Sequence, residues 1–145
     1  LVQRTLFIIK PDAIRKKLSS SILKDVRDSG LNILTQKKIK LSQEDLESLY
    51  AEHKGKPFYE KLVGYMGSGA VICAVIEGVD AVDRMRDLMG DTYPSKASPQ
   101  SIRGKYRGES DTGPSGAIEN LVHGSDSPER AKVEIDLMFG KEWSV

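Results

Sequence analysis

An α+β fold built on a ferredoxin-like βαββαβ core is what this chain predicts, and three observations lead there. Apolar residues alternate or run unbroken over short, strand-length blocks at residues 5–9, 31–41, 70–76 and 121–122. Between these blocks, apolar residues recur three and four apart, which gives helices with one buried stripe. The resulting order is strand, helix, strand, two helices, strand, helix, loop, strand, helix. Setting aside the extra helices leaves β-α-β-β-α-β, hence an antiparallel four-stranded sheet with helices on one face. The 145 residues are expected to form a single domain, 1–145, with a substantial core.

Residues 5–9 are β-branched and aromatic, a buried strand that stops at Lys10-Pro11-Asp12 because proline has no N–H for the ladder. Asp12 is expected to cap a short helical turn through Ile14 and Arg15. Leu18, Ile22 and Val26 lie four apart on the next helix, and Gly30 closes it. From Leu31 to Leu41 the period of two predicts a long strand with one wet face. Ser42 and Asp45 form a capping-box-like pair ahead of Leu46, Leu49 and Tyr50. After a break at 54–57, Phe58, Leu62, Tyr65 and Met66 form another stripe. Residues 70–76 are continuously apolar and read as a central strand, with Cys73 a small buried hydrophobe. The next helix, 79–89, turns Val82, Met85 and Met89 inward and carries Arg86 on its flank. Regular periodicity then disappears from Asp91 to Gly116, a length that points to a functional or disordered loop. Leu121 and Val122 start a last short strand, and Ala131, Ile135, Met138 and Phe139 mark a final helix.

Composition narrows the function. Apolar residues make up 39 % and charged residues 30 %, a globular and water-facing balance. A net charge of +1 gives no bulk attraction to nucleic acid or to a membrane surface, so any anion site is local. One cysteine excludes an intramolecular disulfide framework and a four-cysteine zinc site, and it fits a reducing cytoplasm. No apolar run approaches the roughly 20 residues of a membrane span, and no signal-peptide pattern opens the chain.

The stretch 120–129, Asn-Leu-Val-His-Gly-Ser-Asp-Ser-Pro-Glu, draws most attention. Ser127 suits an N-cap, Pro128 the first helical position, and Glu129 the positive end of the helix dipole. His123 therefore stands where a strand gives way to a turn, near the free N–H donors of a helix, a place suited to meeting phosphate. On this stretch alone, a turn histidine that satisfies a backbone group is the stronger reading.

Three further motifs change that balance: Lys10-Pro11-Asp12 after the first strand, His53-Lys54-Gly55-Lys56-Pro57-Phe58, and Ser101-Ile102-Arg103-Gly104 in the long loop. With the His123-Gly124-Ser125-Asp126-Ser127 segment they closely resemble the nucleoside diphosphate kinase family, over nearly the whole chain and in the same order. The resemblance implies a ping-pong transfer of the γ-phosphoryl group of a magnesium-bound nucleoside triphosphate such as ATP to a histidine, then to a nucleoside diphosphate. His123 matches the nucleophile. An imidazole of ordinary pKa, roughly 6.5, is mostly neutral at physiological pH and has a lone pair to attack with. Glu134 matches the carboxylate that orients it, and Ser125 the hydroxyl that holds that carboxylate. Without the resemblance, Glu134 is a solvated helix charge.

Phosphoryl transfer leaves little covalent work to the protein beyond placing positive charge on three equatorial oxygens. Lys10 matches the family's lysine near the transferred phosphate, and Tyr50 the tyrosine beside it. Arg86, Thr92 and Arg103 match the phosphate-gripping groups. Phe58 matches the aromatic beneath the base, with Leu62 in the same slot, although a core stripe explains Phe58 nearly as well. Stacking tolerates every base, so broad nucleoside use is expected. Asn120 matches the asparagine that binds the ribose hydroxyls. His53 reads as a surface helix residue. No protein metal-ligand set is implied, since magnesium rides on the nucleotide phosphates. The family also implies a homo-oligomer, a hexamer before a tetramer or dimer.

The chain departs from the family pattern at Ala13, Tyr93, Gln100-Ser101 and Lys105, and in a long 104–117 loop. A methyl at Ala13 restricts positive φ there. Two other classes compete: a non-catalytic scaffold member of the same family, which has no use for His123, and a nucleic-acid-binding domain. The latter needs stacking aromatics and a basic sheet face, and aromatics are only 6 % of the chain.

Overall fold

A computed structural model describes residues 1–144. Its strands are β1 (Val2–Ile9), β2 (Asn32–Ile39), β3 (Val71–Val79) and β4 (Val122–Gly124). Its helices are α1 (Pro11–Arg15), α2 (Ser19–Asp28), α3 (Gln43–Leu49), α4 (Tyr59–Met66), α5 (Ala81–Met89), α6 (Ile102–Lys105) and α7 (Pro128–Phe139), with short 3-10 turns at Ala51–His53, Pro94–Lys96 and Lys141–Trp143. The sheet order is β2-β3-β1-β4, and every neighbouring pair is antiparallel. This is the ferredoxin-like arrangement, with the two most apolar strands in the middle.

Side chains alternate across β1, so the sheet feeds two cores. Phe7 and Ile9 meet Ala74, Ile76 and the inward residues of α2 and α5, among them Ile22, Val26 and Met85. Leu6 and Ile8 meet Val71, Cys73 and Val75 on the other face, where α3, α4 and α7 supply Leu46, Val63 and Ile135. The two helices of the βαββαβ pattern therefore share one face, and the extra helices cover the other. Cys73 is wholly buried, and burial pushes its thiol up to about 12.

Strand β2 differs from the one-wet-face reading. A bulge shifts its register between Ile33 and Thr35. Before it, Leu31 and Ile33 face the α2–α5 core; beyond it, Ile39 and Leu41 face the other. An extra residue reverses which face odd positions occupy, so an unbroken period of two in sequence serves both cores.

Two helix-start signals hold. Ser42 Oγ accepts from the Asp45 N–H at 3.0 Å and the Asp45 carboxylate accepts from the Ser42 N–H at 3.1 Å, closing the box ahead of α3. Ser127 Oγ accepts from the Arg130 N–H at 3.1 Å at the start of α7. Asp12 does not cap α1. Lys10 holds the N-cap position, and the Asp12 carboxylate turns inward to accept from the Tyr65 hydroxyl and, at 3.2 Å, from the Leu121 N–H. Helix α4 buries Tyr59, Val63, Tyr65 and Met66, leaving Phe58 outside the stripe. Strand β3 runs on to Val79, so α5 starts two residues later than its apolar pattern suggested. Ala13 is buried within α1 and needs no positive φ.

Candidate active site

The ends of β1, α3, α5 and β4 meet at a cleft of about 850 Å³. Its wall includes Lys10, Tyr50, Phe58, Leu62, Arg86, Thr92, Arg103, Asn120, His123 and Glu134. Of the eleven residues singled out from sequence, Ser125 alone does not line it; Ser125 lies buried behind His123.

His123 pairs with Ile8 in the β4–β1 ladder, so its backbone is fixed by the most buried strand of the fold. The ring is fixed by α7. Nε2 lies 2.7 Å from Glu134 Oε1, and the Ser125 hydroxyl donates to the same oxygen at 2.9 Å while accepting from the Leu6 N–H at 3.3 Å. Burial on its own would raise the Glu134 pKa. The hydrogen bonds from His123 and Ser125 and the charges of His123 and Arg130 outweigh burial and hold the carboxyl below its ordinary value. An ionised Glu134 can only accept, so Nε2 carries the proton and Nδ1 keeps its lone pair.

The backbone two residues before this histidine is strained. Leu121 adopts φ 73°, a conformation that costs a branched side chain on the order of 1–3 kcal/mol. Its N–H is held by Asp12, and its carbonyl accepts from the Lys10 N–H at 2.8 Å. The last strand therefore begins at Val122, one residue later than the apolar pair implied. Leu121 ties the end of β1 to the start of β4, and both ends enter the cleft.

Cations and carboxylates both line the cleft: Lys10, Lys61, Arg86, Arg103 and Arg130 against Glu52, Asp91, Asp126 and Glu134. Lys10 Nζ donates to Asn120 Oδ1 at 2.7 Å and lies 5.6 Å from the Tyr65 ring centroid. Burial and the nearby Arg103 bring its pKa down to about 7, against a smaller upward pull from Asp12. Arg103 donates to the carbonyls of Asn120, Gly90 and Val122 at 3.1, 3.1 and 2.7 Å. Three of its five N–H groups are thus used as a brace, and the rest remain for a ligand. Burial pulls this guanidinium down to about 10. Gly90 makes the brace possible: it turns at φ 86°, and a Cβ there would stand 2.4 Å from Ser101 Oγ. Asn120 Nδ2 donates to the Thr92 carbonyl at 3.0 Å, so Asn120 links both lips of the cleft.

Tyr50 stands beside His123 in the cleft that Lys10 also lines. Its ring meets the imidazole edge-on with centroids 6.4 Å apart, and its buried hydroxyl has no hydrogen-bond partner among the described residues. A tyrosine that the sequence assigned to the core, Tyr65, also lies next to Lys10. Phe58 is 47 % exposed and lines the cleft. His53 is not a plain surface residue. It lines the cleft between Tyr50 and Phe58, with ring centroids at 6.3 and 5.2 Å. Stacking between neighbours on a 3-10 turn is not readable from helical periodicity.

A histidine with a carboxylate behind it and buried cations before it suits a site that meets an anion. The profile of the nucleoside diphosphate kinase family matches residues 3–143. The chain belongs to the nucleoside diphosphate kinase family. It is 43 % identical over 141 residues to the nucleoside diphosphate kinase of Erythrobacter litoralis, covering 97 % of this chain and 96 % of that protein. It is equally identical, over the same length, to that of Saccharolobus solfataricus, with 97 % of each covered. The Aquifex aeolicus nucleoside diphosphate kinase superimposes with a TM-score of 0.87 at 36 % identity, over the whole of both chains. The Halobacterium salinarum nucleoside diphosphate kinase, whose structure is a complex with CDP, gives 0.86 at 35 %, covering all of this chain and 92 % of that one.

Within this nucleoside diphosphate kinase domain the long 104–117 loop is folded over the rim without covering His123. Asp111 accepts from Ser95 N and Oγ at 2.9 and 2.6 Å, and Glu119 accepts from Ser115 N and Oγ at 3.1 and 2.8 Å. Gly116, Ala117 and Ile118 then line the cleft opening. Arg130, which sequence reasoning passed over, also reaches the wall. Among the described residues no helix is long and apolar enough to cross a membrane.

Proposed function

We propose that this chain is an active nucleoside diphosphate kinase that passes a γ-phosphoryl group through His123 and so maintains cytoplasmic nucleoside triphosphates. One observation carries the reading: Nε2 of His123 is held 2.7 Å from an ionised, buried Glu134, while the ring borders a cleft that Lys10, Arg86 and Arg103 also line. The nucleophile is the remaining nitrogen, Nδ1. It attacks the γ-phosphorus, the bond to the bridging oxygen breaks, and the diphosphate leaves. The imidazole gains a positive charge during attack, which Glu134 stabilises through Nε2–H. The second half runs in reverse with a diphosphate as acceptor.

Lys10 and the free N–H groups of Arg86 and Arg103 meet the charge spread over the transferred oxygens. Phosphate arriving beside Lys10 raises its pKa and restores its charge. Phe58 and Leu62 offer a base-tolerant slot, and Asn120 and Lys10 face the sugar. Magnesium retains several waters and takes one or two carboxylates plus substrate phosphates. Among the described residues no three His, Cys, Asp or Glu side chains gather into a metal cage, and Glu52, Asp91 and Asp126 stand separately in the cleft wall. Those donors suit a cation that comes with the nucleotide, where it would neutralise phosphate charge. We also propose a homo-oligomer, with the family's hexamer as the expected state; sedimentation velocity measures it.

The test is a chase. Incubated with magnesium and γ-labelled ATP, the protein should take up an acid-labile label that empties into GTP on adding GDP. His123→Ala should abolish uptake and His53→Ala should retain it. A wild type that never labels would leave the scaffold reading.

A further inference from the structure

We propose that Arg130 is a positioning residue for phosphoryl transfer: it fixes the second oxygen of Glu134 and ties the His123–Glu134 pair to the segment that carries the nucleotide wall. The proposal rests on the reading of His123 as the phosphoryl carrier.

Local helix physics gives no reason for an arginine at this position. Arg130 occupies the first turn of α7, where a cation opposes the helix dipole. It also precedes its acidic partner by four residues, the less favourable order for a helical ion pair. Its contacts are instead with the cleft. Nη2 lies 3.3 Å from Glu134 Oε2 and donates at 3.3 Å to the Leu49 carbonyl in the last turn of α3. Nε lies 3.5 Å from Glu52 Oε1 on the following 3-10 turn. One guanidinium thus joins α7 to residues 49–52, directly beside Tyr50.

Glu134 Oε1 already serves His123 and Ser125. Oε2 depends on Arg130. Without it, Oε2 loses its ion-pair partner at 3.3 Å, and the carboxylate is freer to rotate or take up a proton. Either event removes the acceptor that keeps the proton on Nε2 and the lone pair on Nδ1. Every element packed around the carboxylate contributes to this setting. His123 approaches from β4, Ser125 from the turn after it, Tyr50 from the end of α3, and Glu52 through Arg130, while β1 and β3 bring Leu6, Ile8 and Cys73 to the same core. Burial pushes the Tyr50 and Cys73 protons up, so neither supplies charge near neutrality. Arg130 is the standing cation on Glu134, and His123 adds charge only when its imidazole is protonated.

Single-turnover label uptake from magnesium–ATP between pH 5 and 9 tests this, for the full chain and its Arg130→Ala, Arg130→Gln and Arg130→Lys variants. Alanine should slow uptake about tenfold, within the range of couplings between contacting charged groups. It should leave the nucleotide KM within about twofold and move the acid limb of the rate profile to higher pH. Lysine should restore most of the rate and the acid limb; glutamine, which keeps a donor without charge, should not restore the limb. Added to Glu134→Gln, the alanine change should cost less than about twofold. An equal loss in that background, or an unmoved acid limb, would overturn the proposal. Imidazole ¹⁵N spectra give a readout independent of turnover. His123 should be the Nε2–H tautomer in the wild type and mixed in Arg130→Ala; an unchanged tautomer also overturns the proposal. If the wild type takes up no label, the carrier reading fails, and the spectra alone decide whether Arg130 holds the pair.

Discussion

Lys10→Met should make the free protein more stable while removing its activity. Methionine is close in length to lysine, apolar and flexible enough to fill the same space. The Lys10 pKa stands at about 7 against 10.5 for an ordinary lysine, with burial the first cause and Arg103 the second. Between those two values the unfolded chain binds a proton that the folded chain does not, so unfolding free energy rises with pH across that window. Below pH 7 the folded state carries the full penalty of a buried ammonium, and above 10.5 it carries none. At about 1.4 kcal/mol per pH unit the penalty is ~5 kcal/mol. Substitution also strips Asn120 Oδ1 of its 2.7 Å donor, which costs about 1–3 kcal/mol. The net gain is then about 2–4 kcal/mol at pH 6 and close to zero near pH 9, where most of the wild-type penalty has gone. Urea unfolding of both proteins at pH 6, 7.5 and 9 measures the difference directly. A variant less stable than wild type at pH 6, or a gain that does not shrink as pH rises, would refute the reasoning.

Phe58→Ala should raise the nucleotide KM by about 5- to 100-fold, the cost of a lost stacking platform, and leave stability within about 0.5 kcal/mol because the ring is exposed; an unchanged KM would remove Phe58 from the base slot. Tyr50→Phe should stabilise the free protein by about 1 kcal/mol, since its buried hydroxyl has no partner, and should slow label uptake; a destabilised variant would mean that the hydroxyl is bonded. Gly113→Ala should loosen the 104–117 loop, because a Cβ there would fall 2.0 Å from the Glu119 carboxyl carbon. Faster proteolysis within that loop checks it, and an unaltered cleavage rate counts against the folded-loop description.

The parts of the fold set by near neighbours were readable from sequence. The Ser42–Asp45 box, the Ser127 cap and the continuous apolar run of β3 depend on residues a few positions apart, and they form as expected. Contacts between distant segments were not readable. Asp12 looks like a helix cap until Tyr65 and Leu121 reach it from 53 and 109 residues away. The bulge in β2 leaves the alternation of apolar residues intact while reversing its meaning. At the cleft, family motifs pointed to residues that the structure gathers around one space. They did not reveal His53 between two aromatic rings, nor Arg130 behind Glu134. His53 opens a quoted motif, but its place between two rings comes from a 3-10 turn that helical periodicity does not show; Arg130 lies outside the motifs and reaches Leu49 and Glu52 from far along the chain.

The identity of the phosphorylated atom tests the central claim most directly. After brief exposure to magnesium and ATP, the protein should be denatured in alkali and its ³¹P spectrum recorded. The hydrogen bond between Nε2 and Glu134 leaves Nδ1 as the free nitrogen, so the spectrum should show one phosphoramidate on Nδ1 of His123, absent from His123→Ala and lost when GDP is added first. A signal from Nε2, or one that persists in His123→Ala, would contradict it.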